Sequence, residues 1–174
     1  IITRFDFDYL KTANIPMDPL CRFELDDCPT TQADKDAMSN VPYREALGCL
    51  MFLHLVFRMD ISFPVISLSR FASNPSMRMW TALQQIYAYL KGTLDIKLTY
   101  TRMTSTRNPL MVAYTDADWG TNDIDFRRAV IGYVIFLSGA AVSWLTSFRQ
   151  VGLSTCEVEY YGMGAVATET IAHS

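Results

Sequence analysis

The sequence predicts an α+β chain, helical in its first part, then a sheet of short antiparallel strands, then one closing helix. Three observations carry that expectation. Apolar residues recur at three- and four-residue steps between positions 41 and 92. After Gly92 the pattern breaks into short apolar runs separated by turn residues, and a helical stripe with acids at its start resumes after Ser154. The chain has 174 residues, 50% apolar, 13% aromatic and 19% charged, which suits one large or two small domains and excludes general disorder.

Residues 1–40 contain Pro16, Pro19 and Pro29 and acidic clusters at Asp6/Asp8, Asp26/Asp27 and Asp34/Asp36, with no sustained hydrophobic period. A linker or tether is expected there. Residues 41–93 read as a helical region of three helices. The first follows Pro42 and buries Leu47, Leu50, Met51, His54 and Leu55. The second is capped by Asp60, carries Ile61, Val65, Leu68 and Phe71, and tolerates Pro64 near its first turn. The third runs from about Met77 to Leu90 with Trp80, Leu83, Tyr87 and Leu90 on one face, and stops at Gly92.

In the remaining region, 94–174, strands are expected at 97–100, 110–114, 132–137 and 141–145, with Ser138-Gly139 as a hairpin turn. A helix capped by Ser154 or Thr155 closes the chain, with Tyr160, Met163, Val166 and Ala167 as its stripe. No apolar run reaches the ~20 residues of a membrane span. The start, Ile1-Ile2-Thr3-Arg4, has no leader pattern and reads as part of a longer chain.

A net charge of -3 argues against a general electrostatic binder of nucleic acid. Cys21, Cys28, Cys49 and Cys156 show no CxxC spacing, so they read as reduced thiols, with a Cys21–Cys28 bridge as the alternative in a secreted setting. His54 lies on an apolar helix face and reads as structural, and no Ser/His/Asp arrangement can be assembled.

Two acidic features remain. The apolar run 111–114 leads into Thr115-Asp116-Ala117-Asp118, where alternation puts Asp116 and Asp118 on one face and two like charges would favour a cation. Aspartates at strand ends are also common turn-formers. Glu157 and Glu159 stand in the first turns of the last helix, where its dipole alone would favour them. Taken in order, though, a strand ending in Asp, a hairpin and a helix starting with Glu could bring oxygen ligands together for metal-dependent phosphoryl hydrolysis.

Residues Tyr114-Thr115-Asp116-Ala117-Asp118-Trp119-Gly120, Arg127-Arg128, Gly132-Tyr133, Val142-Ser143-Trp144 and Leu153-Ser154-Thr155-Cys156-Glu157-Val158-Glu159-Tyr160 resemble the ribonuclease H region of a copia-type retrotransposon Pol polyprotein. Upstream, Val41-Pro42-Tyr43-Arg44-Glu45-Ala46-Leu47-Gly48, Arg58-Met59-Asp60-Ile61, Leu68-Ser69-Arg70-Phe71, Ser73-Asn74-Pro75 and Tyr89-Leu90-Lys91-Gly92-Thr93 are similar to the connection between reverse transcriptase and ribonuclease H. The resemblance spans nearly the whole chain, in the family's order.

It implies a helical connection region followed by an incomplete ribonuclease H-like fold. It makes Asp116 and Glu159 the catalytic, metal-binding carboxylates, with Asp118 and Glu157 in support and Arg127 and Arg128 as nucleic-acid contacts. The implied chemistry is cleavage of RNA in an RNA–DNA hybrid with Mg²⁺ or Mn²⁺. The implied partners are that hybrid and the rest of the Pol polyprotein, in a cytoplasmic element particle. The family's remaining carboxylates come from a later strand and helix, so little activity is expected of these residues alone. The alternative is a non-catalytic interaction protein, such as a secreted pathogen effector acting on a host protein.

Overall fold

The computed structural model describes residues 1–101, 111–118, 130–148 and 154–172. The chain forms two compact units, Ile1–Ile96 and Lys97–Ser174.

In the first unit, helices α1 (Gln32–Ser39), α2 (Tyr43–Val56), α3 (Ser62–Ser69) and α4 (Met77–Gly92) follow three single turns of 3-10 helix. The core is formed by Leu50, Ile61, Val65, Leu68, Met79, Leu83 and Ile86, all fully buried, as the helical spacing requires. Two buried tyrosines find backbone partners, which burial of a phenol demands. Tyr43 donates to the Leu68 carbonyl at 3.1 Å and Tyr87 to that of Ala46 at 2.9 Å.

Three expectations for this unit are corrected. Residues 1–40 are not a tether: Phe7, Met17, Phe23 and Met38 enter the core, and the rings of Phe7 and Tyr87 lie 4.8 Å apart. The segment shows no sustained period because Phe7, Met17 and Phe23 enter the core singly from turns and irregular chain, and Met38 alone of the four enters from an α-helix, the short α1. Asp60 does not cap a helix. It sits in a 3-10 turn, Met59–Ile61, where its carboxylate accepts from Arg58 and from Tyr89 Oη at 2.7 Å, and α3 starts after it. Leu55 is not buried but 59% exposed.

The second unit is a three-stranded antiparallel sheet, β1 (Met111–Asp118), β2 (Val130–Leu137) and β3 (Ala140–Phe148), in the order β1-β2-β3, followed by α5 (Thr155–Ala172). The α+β class stands. The hairpin turns at Ser138 and Gly139, both with positive φ (51° and 88°), the backbone that a two-residue turn between twisted strands needs. The expected strand at 97–100 does not form. That segment instead meets the hairpin end: Tyr100 Oη donates to the Ala141 carbonyl at 2.9 Å, and the Thr101 N–H donates to that of Ser138 at 3.0 Å. Among the described residues, no helix is long and apolar enough to cross a membrane, and all four cysteines are free thiols.

Candidate functional site

The second unit positions the acidic residues through the seat of α5 on the sheet. Ser154 Oγ accepts the Glu157 N–H at 3.2 Å, an N-cap that starts the helix here. Val158 then packs with Ile131 and Ala117 as a small core, and Gly162 lies against Thr115, Ile131 and Ala117. Further along, Glu169 accepts a hydrogen bond from Ser143 Oγ of β3 at 2.9 Å. The spacing 158, 162, 169 is the sheet-facing stripe of α5.

The strand carrying Asp116 and the helix carrying Glu159 are therefore packed together, with Gly162 against Thr115 and Ala117. Because side chains alternate along a strand, Asp116 stands on the face of β1 opposite Thr115 and Ala117. That face also carries Tyr114 and Phe136, whose rings meet edge-on at 6.0 Å. Asp116 is exposed, and its Oδ1 accepts the Ala117 N–H at 2.9 Å. Glu159 is exposed, one residue past the buried Val158. Glu157 accepts the Tyr161 hydroxyl at 2.9 Å, which holds that phenol's pKa above its ordinary value.

The side chain of Asp118, and Arg127 and Arg128 entirely, lie outside the described residues. Among the described residues, no group of three or more His, Cys, Asp or Glu side chains could hold a metal ion. Two-metal phosphoryl chemistry needs a fuller carboxylate set converging on one point, so the described donor set does not make up such a centre.

Reading charge alone missed Glu169, the α5 carboxylate that bonds to a strand. Its signal was position, eleven residues after Val158 and hence on the same helical stripe. Sequence reading also treated 58–61 and 89–93 as separate stretches. They meet in the first unit: the Arg58 guanidinium donates to Asp60 at 2.8 Å, to Thr93 Oγ1 at 2.6 Å and to the Thr93 carbonyl at 3.1 Å, and lies over the Tyr89 ring. Burial raises the Asp60 pKa, but the hydrogen bonds from Arg58 and Tyr89 and the Arg58 charge outweigh it and leave it below its ordinary value.

No family model matches the chain, and no solved structure does. It is 36% identical over 171 residues to the retrovirus-related Pol polyprotein from transposon TNT 1-94 of Nicotiana tabacum, an alignment covering 98% of this chain and 12% of that polyprotein. It is 38% identical over 135 residues to secreted RxLR effector protein 161 of Plasmopara viticola, covering 77% of this chain and 92% of that protein. Against the Pol polyprotein from transposon RE2 of Arabidopsis thaliana, the identity is 33% over 129 residues, 73% of this chain and 8% of that polyprotein.

Proposed function

We propose a function from one premise: the chain belongs to the family of retrovirus-related transposon Pol sequences, as a segment spanning 12% of its tobacco relative. The reading is that its second unit is the ribonuclease H-like part of a copia-type Pol polyprotein, and its first unit the connection that precedes it. The observation that carries it is the strand–hairpin–helix order, with α5 seated on β1 through Val158 and Gly162, while Asp116 itself stands on the other face of that strand.

In this reading, Asp116 and Glu159 are two of the carboxylates that would hold Mg²⁺ or Mn²⁺, and the bound metal would supply the activation of water for cleaving RNA in a hybrid. With no complete ligand group among the described residues, cleavage requires carboxylates beyond these two. The test uses a Pol chain that extends past residue 174. Metal-dependent hybrid cleavage lost in both Asp116→Asn and Glu159→Gln, with polymerisation intact, supports the assignment. Cleavage retained in both variants rejects it.

A second reading is favoured by the Plasmopara viticola relative, of which this chain covers 92%: a non-catalytic protein that keeps the scaffold for binding. It predicts a stable fold and no cleavage in any longer natural form of the chain.

A further inference from the structure

The far side of α2 is apolar and open. Phe52 is 60% exposed, Leu55 59%, Val56 41% and Phe57 57%, and the rings of Phe52 and Phe57 meet edge-on at 6.4 Å. The other side of the helix is already packed, through Tyr43, Ala46, Leu47, Leu50 and His54. So α2 has two apolar faces, of which the fold uses one. Single exposed apolar residues are ordinary; a contiguous group marks an interaction surface.

Gly48 points to what covers it. It lies on the same stripe, one turn before Phe52, and a Cβ built there meets nothing within 4 Å. Along the open stripe, the helix thus presents a recess at Gly48, then Phe52, then projections at Leu55 and Val56. Gly48 and Val56 are each four positions from Phe52, so the relief is self-complementary about Phe52. Two antiparallel copies crossing there would lay Leu55 and Val56 of each over Gly48 of the other, as a two-fold interface requires. The two Glu45 carboxylates would lie at opposite ends of such a crossing and would not repel.

We propose that this face of α2 is a dimer surface whose occupant is a second copy of the chain. The proposal goes beyond the Pol reading and does not depend on it. At about 150–250 Å² per fully open aromatic ring, the four side chains leave on the order of 400 Å² open per copy. Two copies would bury at most roughly 800 Å² through these four side chains, below the ~1,000 Å² that a stable specific interface clears, so the dimer is a weak, transient one.

The test is sedimentation equilibrium of the full chain, from roughly micromolar to hundreds of micromolar, the range a weak dimer needs. A monomer–dimer equilibrium is expected. Gly48→Gln fills the recess while favouring the helix intrinsically, so it should weaken association about tenfold or more with an unchanged or raised Tm. Phe52→Glu should weaken association to a similar extent. A monomer throughout the concentration range would overturn the proposal. So would a dimer that Gly48→Gln leaves unweakened, because it would be held by another surface such as the edge of the sheet.

Discussion

A Cβ on Gly162 would come within 2.9 Å of Thr115 Oγ1, so α5 meets β1 with only the Thr115 side chain between the two backbones. Thr115 cannot turn away freely, because its hydroxyl donates to the Gly132 carbonyl at 3.1 Å. This contact fixes how the Glu159 helix lies on the Asp116 strand.

Gly162→Val is therefore expected to destabilise the second unit by about 2 kcal/mol, since overpacking costs about 1–3 kcal/mol and outweighs the gain in helix propensity, at most about 1 kcal/mol. Adding Thr115→Ala removes the nearest obstructing atom and should recover part of the loss in urea denaturation, the valine γ-carbons still crowding Ile131 and Ala117. A double variant as unstable as Gly162→Val alone would show that the strain lies elsewhere.

The Arg58 cluster ties the α2–α3 junction to the end of α4. The Arg58 side chain is only 10% exposed but that of Asp60 is 32% exposed and keeps the Tyr89 hydroxyl as a donor, so Arg58→Ala, which strips the Thr93 carbonyl of its side-chain donor, should cost about 2 kcal/mol, below the range of a fully buried pair. Arg58→Lys should recover only part of that, because a single ammonium cannot reproduce the fork of bonds to Asp60 and Thr93. Full recovery in a denaturant titration of Arg58→Lys would mean that charge, not geometry, is what matters.

His54 gives a pH dependence of known sign. Burial holds its imidazole below the ordinary histidine value. The unfolded chain takes up that proton near pH ~6.5, the folded chain only at lower pH, so stability declines as pH falls through the interval between the two. Tm should drop between about pH 7 and pH 5, and His54→Leu should flatten the slope. An unchanged slope in His54→Leu would assign the effect to another group.

The elements were legible where local chemistry decides them. Ser138-Gly139 announces its turn, Ser154 its cap, and 77–92 its helix, because backbone conformation there follows from neighbours in sequence. Residues 1–40 were misread because Phe7 and Phe23 are buried by contacts distant in sequence, which leave no period. Leu55 was misread because a stripe of apolar residues cannot say whether the partner for its second face belongs to the same fold. At the candidate site, residue types and order suggested Asp116 and Glu159. Strand alternation, visible once Thr115 is seen against Gly162, places Asp116 on the opposite face of the sheet.

The most direct measurement of the central claim is Mg²⁺- or Mn²⁺-dependent cleavage of a labelled RNA–DNA hybrid by the purified 174-residue chain, beside its Asp116→Asn variant. If the chain carries a Pol-derived, ribonuclease H-like scaffold with too few carboxylates for catalysis, the two proteins give the same negligible rate. Robust cleavage by the parent, abolished by Asp116→Asn, would contradict it and show that the acidic residues of this chain complete a metal centre by themselves.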